Sequence, residues 1–294
     1  MFKMKYIPFM VFVFTLSTPS FAQEVKDLLP EWTFTKGIEG PSFDKKGVLY
    51  AVNFSEQGTI GAVDISGKAS LYVRLPEGSV GNGIVFDKAG NMYIADYTNH
   101  NILKVNPMTK EIVAFAHESS MNQPNDIAIS PVTEIIYASD PNWKESTGKL
   151  WMVDRKGGVH LLEENMGTTN GIEVSPDGKT LYVNESVSRV IWRYDITPAG
   201  AVANKSQFIK FDDFGMDGMR CDKWGNLFVT RHGKGSVVIL SPKGKLLKEI
   251  PLKGKLCSNI ALKIKGKKVE AFVTMADRGC FEYFRINYNE YGKE

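Results

Sequence analysis

Six polar residues, each able to offer a side-chain oxygen, recur along the chain at nearly equal intervals. In four of the six copies the next residue is glycine, and an apolar stretch follows. Intervals of 43, 43, 45, 47 and 41 residues separate Glu39, Asn82, Asn125, Asn170, Asp217 and Ser258. Acids and amides gathered at one point are the ligands that a hard divalent cation prefers. The pattern therefore indicates a divalent-metal site, and a cation of this kind polarises carbonyl groups and activates water.

The sequence that carries these residues repeats as short strands joined by tight turns. An apolar strand follows each polar residue, then a turn that ends in glycine in most copies, then a second strand. Third and fourth strands usually follow, with period-two alternation and no helical stretch. A unit of about 40–50 residues with four strands is typical of one propeller blade. We therefore predict an all-β fold: a six-bladed β-propeller of four-stranded antiparallel blades, a single domain at residues 23–294.

The ring of blades must close, because an unpaired last sheet would leave an open edge. The sixth unit has only three clear strands, whereas residues 31–35 alternate like a strand ahead of the first unit. We predict that this N-terminal segment supplies the missing strand of blade six and so ties the two ends of the chain together.

A propeller places the first strand of every blade around a central channel, so the six polar residues should face one axis. Two carboxylates aimed at one point repel each other unless a cation joins them. Glu39 and Asp217 offer two negative charges, and Asn125 and Asn170 offer neutral oxygens. Calcium is the expected metal, with zinc, magnesium and manganese as alternatives, because neither histidine nor cysteine enters the set. A polar, water-filled channel without metal is the competing interpretation.

The first residues predict export. Lys3 and Lys5 precede an apolar run at residues 7–16, and small residues at 20–22 suit a signal peptidase. We expect residues 1–22 to be a signal peptide, cleaved after Ala22, and the protein to be periplasmic or secreted. Its removal lowers the formal charge from +3 to +1, which predicts no attraction to nucleic acid or to anionic membranes. The sequence leaves the oligomeric state open.

Three cysteines show no zinc-type spacing. Cys257 and Cys280 fall in the same predicted blade, so a disulfide and two buried thiols both remain open, while Cys221 is expected in the core.

Five segments stand out across the blades: residues 39–44 (EGPSFD), 123–126 (QPND), 137–141 (YASDP), 169–184 (TNGIEVSPDGKTLYVN) and 216–230 (MDGMRCDKWGNLFVT). Together they resemble the SMP-30/gluconolactonase/luciferin-regenerating-enzyme family. The resemblance implies a six-bladed propeller with a divalent ion in the channel. It implies that Glu39, Asn170 and Asp217 are metal ligands and that Asn125 binds the metal or the substrate. The reaction implied is hydrolysis of a lactone, with related members acting on organophosphates.

Two positions depart from that pattern. Sugar-lactone members often carry arginine where this chain has Gln123, and their last blade often reads Pro-Thr-Asn where this chain has residues 257–259 (CSN). Both departures weaken the case for a sugar-acid substrate more than the case for the metal. Residues 91–100 (NMYIADYTNH) look more like an NHL-type repeat, which occurs in binding propellers without catalysis.

These observations assign roles to the six polar residues, which we call the ring residues. Asp217 is expected to act as the general base as well as a metal ligand, and Asn125 to orient a small-molecule substrate. Asn82 and Ser258 are expected to make further substrate contacts. His232, after the second strand of blade five, is expected in a surface loop rather than at the channel mouth. Three classes remain: a lactone hydrolase, an organophosphate hydrolase using the same metal, and a binding propeller without catalysis.

Overall fold

A computed structural model describes residues 24–292, and the predicted signal peptide lies outside them. Six four-stranded antiparallel sheets make up this part of the chain, so the predicted six-bladed propeller is confirmed. Five sheets are formed by four consecutive strands, ordered as in the chain. Among residues 24–292, no helix combines the length and apolarity that a bilayer span requires.

Blades one to three contain twelve consecutive strands. They are β2 (Phe34–Phe43), β3 (Leu49–Phe54), β4 (Thr59–Val63) and β5 (Ala69–Arg74); β6 (Gly81–Phe86), β7 (Met92–Asp96), β8 (Asn101–Val105) and β9 (Ile112–His117); and β10 (Ile127–Ile129), β11 (Ile136–Asn142), β12 (Thr147–Val153) and β13 (Val159–Met166).

Blades four to six follow the same plan, and a short 3-10 helix at Tyr288–Glu290 follows the last strand. Their strands are β14 (Thr169–Val174), β15 (Thr180–Glu185), β16 (Val190–Ile196) and β17 (Val202–Lys210); β18 (Met219–Cys221), β19 (Leu227–Arg231), β20 (Ser236–Leu240) and β21 (Leu246–Pro251); and β22 (Cys257–Lys265), β23 (Lys268–Met275) and β24 (Cys280–Asn287).

The fourth strand of blade six comes from the N-terminal side, as predicted, but from a different segment. Strand β1 (Val25–Asp27) pairs with β24, with Asp27 opposite Glu282. The prediction of residues 31–35 was wrong because Trp32 has a left-handed φ of 62°, which ends extended pairing there. Phe34 already belongs to β2 of blade one.

Apolar side chains fill the space between neighbouring blades, so each sheet buries both faces. Six such clusters occur within residues 24–292, one for each pair of neighbours. At the closure between blades six and one, the rings of Phe34 and Phe281 pack edge to face with centroids 5.6 Å apart. This packing fixes each first strand against the next and thereby sets the geometry of the channel.

The three cysteines are free thiols. Cys257 and Cys280 both lie opposite Met275, one on each side of it, so they are two strands apart. That separation is about 9–10 Å, beyond the reach of a disulfide. Burial raises the pKa of Cys257 to about 12 and that of Cys280 to about 11, which favours unreactive thiols.

Candidate metal centre and active site

Five of the six polar residues lie at or just before the start of their first strand, and Glu39 lies midway along β2, which begins earlier. Backbone hydrogen bonds join neighbouring blades at this level: the amide of Gly83 donates to the carbonyl of Asn125 at 2.9 Å, and that of Gly218 to Ser258 at 2.7 Å. These bonds hold the ring residues of adjacent blades side by side at one end of the channel.

The two acids of the ring interact with each other. The pKa of Asp217 is raised well above its ordinary value, first by burial and then by the negative charges of Glu39 and Asp126. A hydrogen bond from Asn170 opposes this rise. Burial, reinforced by Asp126, raises the pKa of Glu39 to about 7. The charge of Glu39 and the amide of Asn170 both act on Asp217, so the three side chains lie within electrostatic reach of one another.

Asp126 is a third acid that the sequence analysis did not place in the site. It is 2% exposed, and its carboxylate accepts the amide of Ile127 at 3.0 Å and that of Ile172 at 3.4 Å. Burial raises its pKa to about 6, against the opposing charge of Arg220. It follows Asn125, at the position where four other blades have glycine, and that break in the pattern was the available signal.

The glycines leave room for the two larger residues of this second layer, Asp126 and Asn259. A β-carbon on Gly83 would lie 2.7 Å from Oδ1 of Asp126, and one on Gly218 would lie 2.0 Å from Cγ of Asn259. Asn259 Nδ2 donates to Oε2 of Glu39 at 3.0 Å. The layer beneath the ring therefore positions the Glu39 carboxylate.

His232 contacts the site, contrary to the expectation of a surface-loop histidine. Its Nδ1 lies 3.6 Å from Oδ2 of Asp217 and 3.3 Å from the carbonyl oxygen of Cys257. The side chain is 40% exposed, so it stands between the ring and solvent. Blade five brings the two residues together because its first two strands form a hairpin in which Asp217 N donates to Thr230 O.

Two other ring residues, Asn170 and Ser258, already use side-chain polar atoms in hydrogen bonds within the protein. Asn170 Nδ2 donates to the Ser186 hydroxyl at 3.0 Å. The Ser258 hydroxyl bonds to Ile38 O and to Thr274 Oγ1, both at 2.8 Å, so it ties blade six to blade one. The predicted substrate contact of Ser258 would have to compete with these bonds.

Asn82 offers an unused acceptor. Its Oδ1 is buried and has no hydrogen-bond partner among the described residues. Buried polar atoms are nearly always paired, so this oxygen points to a missing ligand or water. Among residues 24–292, no group of three or more His, Cys, Asp or Glu side chains forms a metal-type cluster. The predicted ligand set has only two acids and relies on amide oxygens for the rest.

An ion pair lies farther along the first strands, away from the ring. Arg220 Nη1 is 2.9 Å from Oε2 of Glu173, and its Nε donates to Ile260 O at 3.4 Å. These residues are three positions after Asp217 and Asn170 in their strands. Arg220 thus places a positive charge near Asp126, partly offset by the carboxylate of Glu173.

Comparisons with known proteins agree with this architecture. A family model described as SMP-30/Gluconolactonase/LRE-like region matches residues 38–277. The gluconolactonase of Zymomonas mobilis is 30% identical over 190 residues, which are 56% of this chain and 52% of that protein. The chain thus matches about half the length of that relative. The diisopropyl-fluorophosphatase of Loligo vulgaris is 26% identical over 238 residues, 71% of this chain and 76% of that protein.

Solved structures share the fold. A calcium-binding protein, regucalcin, from Agrobacterium tumefaciens superposes with a TM-score of 0.76 at 21% identity, covering 90% of this chain and 94% of its own. A gluconolactonase from Xanthomonas campestris gives 0.75 at 19% identity, covering 88% of each chain. Similarity at this level of identity establishes the same six-bladed architecture.

Proposed function

The chain belongs to the SMP-30/gluconolactonase/LRE-like family, and we propose that it is a lactonase, a hydrolase that opens a cyclic ester at the channel mouth. The observation that carries this proposal is the meeting of Glu39 and Asp217 beside Asn170, at a register that repeats in all six blades. Relatives named gluconolactonase, pentonolactonase and lactonase support the reaction class.

The site residues fit a divalent cation. Burial and the charges of Glu39 and Asp126 disfavour the ionised form of Asp217, so a bound positive charge is favoured, and the unpaired buried oxygen of Asn82 adds a free acceptor in the ring. We propose that Glu39, Asn170 and Asp217 hold the ion and that Asn125 completes the set or contacts substrate. Hard oxygen donors favour calcium, with zinc, magnesium and manganese as alternatives. A cation bound there polarises a carbonyl oxygen and lowers the pKa of water.

In this proposal Asp217 and His232 transfer the proton that the attacking water releases. As water adds to the lactone carbonyl, one proton passes to a carboxylate oxygen of Asp217. The ring carbon–oxygen bond breaks, and the departing ring oxygen takes a proton from solvent, which leaves a hydroxy acid and a protonated Asp217. His232, at 3.6 Å from that carboxylate, is placed to exchange the proton with solvent. Asn125 orients the substrate in this proposal.

Hydrolysis of a lactone panel by the purified chain without residues 1–22 tests the proposal. We expect turnover that stops with EDTA and returns with calcium, while circular dichroism keeps its β signature. Turnover unaffected by EDTA would contradict the metal requirement. Absence of any turnover, despite a bound metal by elemental analysis, would favour a binding propeller.

Organophosphate hydrolysis is the second candidate. The diisopropyl-fluorophosphatase of Loligo vulgaris matches a larger share of both chains than the Zymomonas gluconolactonase does. Diisopropyl fluorophosphate assayed beside the lactones separates the two, because the higher kcat/KM identifies the better-fitting reaction.

Export remains a proposal based on residues 1–22. We propose a periplasmic or secreted location, and N-terminal sequencing of the mature protein is expected to start at Gln23. A mature protein that begins at Met1 in the cytoplasmic fraction would contradict it.

A further inference from the structure

The connection from blade four to blade five holds an aromatic side chain in an unfavourable backbone conformation. Phe214 has φ of 40°, in the left-handed region, and is 49% exposed. A residue with a β-carbon rarely adopts this conformation without support from its surroundings, and such strain clusters at functional sites. Exposure of a large apolar ring adds a second cost, so the loop must be held in place by other contacts.

Arg231 supplies that support. Its side chain is almost fully buried, and its guanidinium donates to three consecutive carbonyl groups, those of Asp213, Phe214 and Gly215. It also pairs with the Asp213 carboxylate at 2.7 Å and stacks on Phe211 at 3.7 Å from the ring centroid. One buried arginine thus fixes the loop with the Phe214 ring outward.

Phe214 stands at the edge of the proposed active site. It precedes Asp217 by three residues, and a β-carbon built on Gly233 would lie 3.3 Å from its Cδ1. Gly233 follows His232, which contacts Asp217. The aromatic ring therefore lies beside the His232 flank of the channel mouth.

Two more exposed apolar residues sit on connections that touch the ring. Val187 follows Ser186, whose hydroxyl is bonded to Asn170. Leu256 precedes Cys257, whose carbonyl faces His232. Val187, Phe214 and Leu256 thus place exposed apolar side chains on connections beside these ring residues, and we refer to the three as the apolar flank.

We propose that Phe214 determines substrate specificity and that the preferred lactone carries an apolar alkyl or aryl substituent. The proposal rests on the lactonase function proposed above. A substituent laid against Phe214 would remove apolar surface of both groups from water. A polyhydroxylated substituent would instead lose hydrogen bonds to water without replacement on this flank.

A homologous series tests the proposal: γ-butyrolactone, γ-hexalactone, γ-octalactone and γ-decalactone, with glucono-δ-lactone as the polar comparison, assayed on the metal-loaded protein. We expect kcat/KM to rise about two- to fourfold per methylene over the first members. Phe214→Ala should remove most of that rise and leave γ-butyrolactone within about twofold. Phe214→Leu should keep most of it. Met108→Ala, at an exposed apolar residue in the turn between β8 and β9, is the matched control.

Phe214→Gly separates specificity from folding. Glycine accepts the left-handed conformation, so this variant should unfold at the same temperature as the parent or higher, yet lose the chain-length preference. A flat chain-length dependence in the parent would overturn the proposal. So would a preference for glucono-δ-lactone, or vesicle or protein binding as the only property that Phe214→Ala changes.

A binding measurement distinguishes failure of this inference from failure of the lactonase proposal. If no lactone turns over, γ-alkyl lactams titrated by calorimetry still test the apolar flank. Binding that strengthens with chain length in the parent and weakens at least about tenfold in Phe214→Ala would support the inference. Absence of such binding would overturn it.

Discussion

Nδ1 of His232 lies 3.6 Å from Oδ2 of Asp217, although the two residues enter the structure from opposite ends of one hairpin in blade five. The imidazole is partly open to solvent, whereas only 16% of the Asp217 side chain is exposed. The pair therefore links an enclosed carboxylate to bulk water.

Replacement of His232 by glutamine should lower kcat by about 10²-fold, because the proton held by Asp217 would lose its relay to solvent. KM and the unfolding temperature should change little, since the side chain is partly exposed. Steady-state kinetics on the metal-loaded protein measure this split. His160→Gln, at an exposed residue beside Asp154, serves as the control. An unchanged kcat in His232→Gln would remove this histidine from the mechanism.

Replacement of Asp217 by asparagine should move activity and stability in opposite directions. Turnover should fall about 10²–10⁴-fold with the loss of the base. The metal-free variant should have a higher free energy of unfolding than the metal-free parent, because burial of the carboxylate and its repulsion by Glu39 and Asp126 both disfavour the charged form. Lactone assays and urea titration after chelation measure the two effects. Full activity would contradict the role of Asp217, and a destabilised metal-free variant would contradict the repulsion.

Calcium at a hundredfold excess over its Kd should raise the free energy of unfolding of the parent by about 2.7 kcal/mol. The same calcium concentration should raise that of Asp217→Asn far less. Differential scanning calorimetry with and without EDTA measures the difference. Equal stabilisation of both proteins would place the ion elsewhere.

The repeat predicts the blades and the ring because each blade must present the same register to one axis. The repeat does not predict that Asp126 belongs to the site. Its side chain lies in the layer below the ring, where glycine in other blades makes room for it. The repeat does not predict the position of His232 either, because this loop residue has no equivalent in the other blades. Its place depends on how the β18–β19 hairpin folds back toward Asp217. The N-terminal strand was assigned to the wrong residues because alternation alone does not reveal the left-handed turn at Trp32.

The Arg220–Glu173 pair should matter for folding more than for catalysis. Arg220→Met leaves a buried carboxylate without its partner, and the free energy of unfolding should fall by about 3–5 kcal/mol. The double variant Arg220→Met with Glu173→Met should recover part of that loss, because Glu173 no longer leaves an unpaired charge while Asp126 still lacks the counter-charge of Arg220. Urea titration of the two single variants and the double variant forms the cycle. Additive losses would show that the two side chains act independently.

The stability of the propeller closure, where β1 pairs with β24, should depend on pH through Asp27. Its carboxylate receives two hydrogen bonds from Arg278, at 2.6 and 3.0 Å, and contacts Lys253. The Arg278 hydrogen bonds are the main cause that lowers its pKa from 3.8 to about 2, against the opposing effect of partial burial. Because the folded pKa is depressed, this contribution is fully present above about pH 4 and is lost as the pH falls toward 2.

Asp27→Asn should therefore cost about 1 kcal/mol at pH 7, a value reduced by solvent screening of a side chain about one-third exposed. The difference from the parent should vanish near pH 2, where both proteins lack the charge. Hydrogen exchange of the β1–β24 amides should report the same loosening, since Asp27 pairs with Glu282 across these strands. Asp154→Asn, in a turn of blade three, is the control. A stability difference that persists unchanged at pH 2 would show that Asp27 acts through packing and not through its charge.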